Sequence, residues 1–440
     1  MLQPWTCHCG QPNVGPAPCS ACLNAAPPAI AVPPEPGPGR PAAFRLLVVL
    51  TTVLLAAGLV AAGIVSGDDP GLAGRTAPSR VHARTVEVTS DSVPAADASA
   101  LEQALPGLLR FTSQARGLPF VHPVRVTMLG DADFRTRLKR DSAEEEAKDE
   151  EQLRTTQRVL EGLGLLEKGV DLKKAVESLY GDAVAGFYDT EDDDLVVRGE
   201  RLTVGVRVTL VHELTHALQD QHFDIDRKDL DDRDDEAADG LLGLVEGDAV
   251  RVERLYLASL SSREQKAAEA EGMAAGASID PGLPPVLLQI VAFPYVVGPE
   301  FATRVVAGGG QERLDAAFVT PPTTSEDLLH PDRFLAGEAP ATVETPKADG
   351  RQIDEGVLGE LGLLLVLNAS GVSGQTAAGG WGGDRYVAWK DGDGTCVRAT
   401  IVMDTPQDDR ELVKALDRLA RTRKGVKVSG RGPFTFTSCS

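Results

Sequence analysis

The residues best placed to do chemistry sit together in RVTLVHELTHALQDQHF, Arg207 to Phe223, as His212-Glu213-x-x-His216. Two histidines four apart on a helix leave from one face, one turn apart, and can share a metal ion. Glu213 falls about 100° round the helix, where it would hold a water beside that metal rather than ligate it. Zinc in such a site brings the pKa of a bound water toward about 7, and the carboxylate takes the proton as the water attacks a carbonyl. The setting suits the motif. Leu210, Val211, Leu214, Ala217 and Leu218 form an apolar face with the histidines opposite, and Leu214 and Thr215 carry no charge. The plainer alternative is a helix with two surface histidines beside a glutamate.

On these residues the chain resembles the zincin metallopeptidases, and most of all the gluzincin, thermolysin-like branch. The resemblance implies a third ligand from a glutamate on a following helix. LLGLVEGDAVRVERL, Leu241 to Leu255, is the matching segment. Its Glu246 lies at the edge of a stripe of Leu242, Val245, Ala249 and Val252, where a carboxylate is costly unless paired or ligating. Asp248 and Glu253 compete with it, and a salt-bridged surface glutamate is the plain alternative. Thermolysin-like enzymes also place an aspartate four residues after the ligand. Val250 stands there in this chain, so support for a histidine must come from elsewhere, with Asp248 a candidate. A rival ligand is His222, six residues after His216, the spacing of the third histidine in metzincins. Their glycine midway is Gln219 here, and a helix running through it would turn His222 away. Glu246 and His222 remain the two candidates.

The same resemblance implies an oxyanion donor, for which Tyr295 in AFPY and His330 in LLHP are the candidates; either residue type more often simply packs. A hairpin is read at Val184–Asp189 and Asp194–Arg198 around Thr190–Asp193. Zincins keep there an edge strand that pairs with extended substrate, though an ordinary exposed hairpin fits equally. Arg385, in GGWGGDRYVAW, could meet a substrate carboxylate or only enter a strand. The implied fold is α+β: a zincin-like two-lobed ectodomain, mostly helical with a small sheet. The implied activity is hydrolysis of a peptide or protein substrate by zinc-activated water. The contrasting reading is a catalytically retired ectodomain acting as a binding or sensing protein, with a cytoplasmic zinc-ribbon interaction module.

The elements around the motif follow from periodicity and breakers. Helices are expected over Asp97–Arg116, with Pro106 inside, and over Asp131 to about Leu166, whose DSAEEEAKDEEQ run reads as a solvated face. A strand is expected at Val124–Leu129. Helices dominate from Thr203 to about Gly308. The tail alternates helix (Glu355–Asn368), strands (Arg385–Trp389, Cys396–Met403), helix (Asp408–Arg421) and short strands. The acidic loop Asp224–Asp239 lacks the spacing and turn glycine of a calcium loop and reads as solvated.

Leu46 to Val65 is uncharged and apolar, long enough as a helix to cross a bilayer. Roughly forty residues precede it, too many for a signal peptide's n-region. Arg40 and Arg45 flank one side and Asp68 and Asp69 the other, so a single-pass membrane topology with a cytoplasmic N-terminus and an extracytoplasmic catalytic domain is expected. Cysteine use matches that division. Cys7, Cys9, Cys19 and Cys22 suggest a zinc-ribbon-like segment over residues 1–24, holding a second, structural zinc ion, or else unliganded thiols. Cys396 and Cys439, outside, suggest a disulfide. A Pro-rich linker (residues 25–43), a stalk (67–96), a catalytic domain (97–355) and a C-terminal α/β subdomain (356–440) complete the division. The net charge of −21 and the lack of a basic cluster argue against nucleic acid as a partner.

Overall fold

The computed structural model describes residues 94–227, 235–430 and 432–440, and four short strands nearer the N-terminus. Strands β1 (Pro4–Thr6) and β2 (Pro12–Val14) pair antiparallel with Trp5 opposite Asn13. Cys7, Cys9, Cys19 and Cys22 lie outside the described residues. So does most of the expected membrane span. Its one described part, β3 (Thr51–Val53), is a strand rather than helix.

The first sheet runs in the order β3-β6-β7-β5-β4, with β4 at Val88–Thr89 and β5 at Arg125–Leu129. The expected hairpin is present as β6 (Val184–Asp189) and β7 (Asp194–Arg198), in register from Gly186–Val197 to Asp189–Asp194. Three helices are threaded among these strands: α1 (Ala95–Arg116), α2 (Asp131–Leu163) and α3 (Leu172–Ala183). The last is not expected from the sequence; Asp171 caps it, its side chain accepting from Lys174 N–H.

The motif helix is α4 (Val204–Phe223). Thr203 caps it through Val206 N–H, and Glu271 accepts from both Thr203 Oγ1 and Gly205 N–H. Its apolar face, Leu210, Val211, Leu214 and Ala217, joins a core with Leu101 and Leu105 of α1, Val126 of β5 and Leu195 and Val197 of β7. The opposite face is buried too, against α5 (Asp235–Ser259), which is why the helix shows no solvent side at the motif.

Helix α6 (Ser262–Gly276) opens with a capping box between Ser261 and Glu264. Then comes α7 (Pro285–Val319), which Gly309 and Gly310 break into two; Gly310, at φ 75°, takes a conformation other residues avoid. It is the one described helix long and apolar enough to cross a membrane, yet 56% of its most apolar stretch is buried within the protein. It packs on α5 at van der Waals limits. A Cβ on Gly247 would overlap the Gly298 carbonyl, and one on Gly298 would overlap Gly243 O. That closeness holds Glu246 of α5 and Tyr295 of α7 across from each other.

Two short helices, α8 (Ser325–Leu329) and α9 (Pro331–Ala336), lead to the C-terminal sheet. It is wholly antiparallel in the order β11-β12-β10-β9-β8: β8 Arg351–Gly356, β9 Trp381–Asp391, β10 Gly394–Met403, β11 Lys427–Gly430, β12 Phe434–Cys439. Residues Gly359–Ala369 and Pro406–Thr422 form the helices over it. The disulfide expected between Cys396 and Cys439 is formed, across directly opposed residues of β10 and β12. Residues 351–356 are a strand, not a helix start, so this sheet begins before the expected boundary at 356. The fold is α+β.

Two outcomes test this packing. Gly247→Ala is expected to cost about 1–3 kcal/mol or more. Gly276→Ala, which meets open space, should be neutral or mildly stabilising; urea denaturation of both variants checks the pair. The second concerns Glu326, whose carboxyl burial raises to about 8 against the attraction of Arg333. A raised acid keeps its proton when folded, so its contribution is present below about pH 4.5 and is lost as pH rises through about 8. Glu326→Gln should therefore match wild type in melting temperature near the acid end of that window and exceed it at the alkaline end.

Candidate metal centre

Helix α4 delivers His212 and His216 to one face a turn apart, and their rings meet edge to face at 4.8 Å. Helix α5 crosses opposite and presents Glu246. Its Oε2 lies 3.1 Å from His212 Nε2 and 3.4 Å from His216 Nε2. All three side chains are fully buried. Around a tetrahedral zinc ion with bonds near 2.0–2.1 Å, neighbouring ligand atoms stand about 3.3–3.4 Å apart. The two histidine–glutamate separations lie within a few tenths of an ångström of that spacing. His216 Nε2 is moreover buried without a hydrogen bond, an arrangement that costs free energy unless something else takes its lone pair. The donor set fits a small divalent ion, and His212, His216 and Glu246 would hold it.

The outer contacts aim the donors. His212 Nδ1 lies 3.1 Å from Glu253 Oε2, and His216 Nδ1 lies 2.9 Å from Gln219 Oε1. Tyr295, on α7, donates its hydroxyl to Glu246 Oε1 at 2.9 Å and stacks near His212. Behind Gln219 stands Asp248, with Arg116 and Arg251 on it. Each ligand thus has a partner on its far side, which fixes its direction.

The charges of the cluster act strongly on one another. Burial would lower the His212 imidazole, but its hydrogen bonds to Glu246 and Glu253 raise it to about 10. Burial would raise Glu246, and His216 and His212 instead hold it at about 2. Burial, and then Glu246, push both Tyr180 and Tyr295 up, so neither hydroxyl ionises near neutrality.

Glu213 is also fully buried, and β6 passes directly over it. Gly186 makes this possible. A Cβ there would stand 2.8 Å from Thr209 Cγ2 and 3.3 Å from Glu213 Cγ.

Of the candidates from sequence, the structure brings together His212, Glu213, His216, Glu246 and Tyr295. It leaves two out. His222 sits outside the cluster because the helix does continue through Gln219; its Nε2 bonds Pro119 O at 2.8 Å. His330 pairs with Glu360 at 3.0 Å beside the C-terminal sheet, which removes it as a partner of this cluster. Tyr295 is present in a different role: its hydroxyl serves the Glu246 carboxylate. Asp248 and Glu253, weighed as ligands, stand behind the histidines instead. Arg385 lies on β9 of the C-terminal sheet, where Thr400 is its cross-strand partner.

Three contributors escape the sequence reading. Gln219, three residues after His216, stands out there only as a departure from another pattern. Arg116 ends α1 and is wholly buried; nothing local marks it. Tyr180, in the last turn of α3, feels Glu246 through a helix that the sequence does not announce.

Residues 345–438 match a family described as a domain of unknown function, DUF8575. That stretch holds the C-terminal sheet and lies outside the histidine cluster. No curated protein and no solved structure matches the chain.

The ligand assignment predicts that Glu246→Gln loses the bound metal and His222→Ala retains it, measured as metal per chain by mass spectrometry.

Proposed function

We propose that this protein is a zinc-dependent peptidase, anchored in the membrane through Leu46–Val65 with its catalytic part outside the cytoplasm. The anchoring rests on the apolar run, its flanking charges and the division of cysteines. The observation that carries the peptidase reading is the convergence of His212 Nε2, His216 Nε2 and Glu246 Oε2 in a buried cluster beside Glu213. Zinc held there would supply Lewis acidity, lowering the pKa of a coordinated water to about 7 and polarising the scissile carbonyl.

The chain's own residues supply the rest. Glu213 takes a proton from the attacking water and can hand it to the leaving amine, the usual work of a glutamate general base. Its burial keeps that proton from exchanging with bulk solvent. Strand β6, brought close by Gly186, offers an edge on which an extended peptide can be held past Glu213. That edge does accept an antiparallel strand: Thr51 pairs with Phe187 and Val53 with Val184. In a chain anchored through Leu46–Val65, residues 51–53 would lie in the bilayer and leave that edge to a peptide. Tyr295 keeps Glu246 fixed during turnover and is a positioning residue.

Glu213→Gln is the test. It should keep the metal and lower cleavage of a peptide mixture by about 10²–10⁴-fold, followed by mass spectrometry of the products. Cleavage at the wild-type rate would remove the mechanism.

A further inference from the structure

Gln219 makes contacts that its shape alone does not explain. Its Oε1 is 2.9 Å from His216 Nδ1, while its Nε2 is 2.9 Å from Val245 O and 3.3 Å from Asp248 Oδ2. A carboxamide donates from one end and accepts at the other. A carbonyl and a carboxylate can only accept. Val245 and Asp248 therefore draw the NH₂ end of Gln219 toward α5, and its oxygen must face His216. That oxygen in turn requires a donor, which places the proton of a neutral His216 on Nδ1. The lone pair is left on Nε2, the atom that faces Glu246 at 3.4 Å and makes no hydrogen bond.

Asp248 is itself pinned. Arg116 Nε approaches one carboxylate oxygen at 2.5 Å, and Arg251 the other at 2.8 Å. Both Arg116 and Asp248 are wholly buried. Arg116 also reaches Asp315 at 2.7 Å, and its guanidinium lies against the rings of Phe223 and Phe318. It cannot turn away without leaving charges unpaired in the interior.

We propose that Asp248 and Gln219 are positioning residues that select the metal-accepting tautomer of His216, with Arg116 as the anchor of the relay. The inference rests on the zinc reading above and extends it from the ligands to the residues that prepare one of them. The donor and acceptor pattern, rather than bulk or charge, is what matters.

That pattern can be removed. Gln219→Leu removes both ends of the carboxamide and leaves the Arg116–Asp248 pair in place. On the full-length chain, zinc affinity by competition with a chromophoric chelator should fall about 10–100-fold in Gln219→Leu. Gln219→Met, closer in length, should show the same loss, which covers the case in which the leucine variant does not fold. Asp248→Asn keeps one acceptor oxygen for Gln219, Arg116 and Arg251 to share, and its affinity should fall in the same direction. Nitrogen-15 spectra of labelled histidine in the metal-stripped protein should show His216 protonated on Nδ1 in wild type and no such preference in the Gln219 variants. Unchanged affinity or an unchanged His216 tautomer in the Gln219 variants overturns this proposal while leaving the zinc site standing. A wild-type chain that takes up no zinc overturns the zinc reading itself.

Discussion

Charge buried between two helices is the constraint on which this structure turns. Glu213, Glu246 and Asp248 are fully buried at this contact, and an isolated carboxylate in such a place costs several kcal/mol. Glu246 and Asp248 are held by partners whose positions other elements fix. Arg116 arrives from the end of α1, Tyr295 from α7, and the histidines from α4. The glycine contacts between α5 and α7 set the separation at which these partners can meet. Stability and site geometry are one problem here, since the packing that excludes water also makes every donor count.

The residues with local signatures were legible in the sequence. His212, Glu213 and His216 carry their meaning in a spacing of four, and the hairpin before them in alternation around an acidic turn. Glu246 could be named because a carboxylate on an apolar stripe is anomalous wherever it occurs. Cys396 and Cys439 followed from compartment and count.

Long-range pairing was not legible. Arg116 stands 132 positions from Asp248, and no pattern near either one announces the other. Glu253 serves His212 from two turns beyond Glu246, where holding a histidine and ligating the metal look identical in one dimension. His330 and Tyr295 were equal candidates as polar residues near helix breaks. Only the close α5–α7 contact brings one of them to the His212–His216–Glu246 cluster, while the other is drawn to Glu360. The C-terminal strand β9 is longer than the sequence suggests: it starts at Trp381 and passes Gly382 and Gly383 with an irregularity in its pairing to Val402 and Met403.

The central claim is that one zinc ion is held by His212, His216 and Glu246. Crystals of the protein, measured on both sides of the zinc absorption edge, test it most directly. The account predicts a single strong anomalous peak among these three side chains, with about 2.0–2.2 Å to each donor atom. A peak at His222, or no peak near α4 in protein grown with zinc, would contradict it.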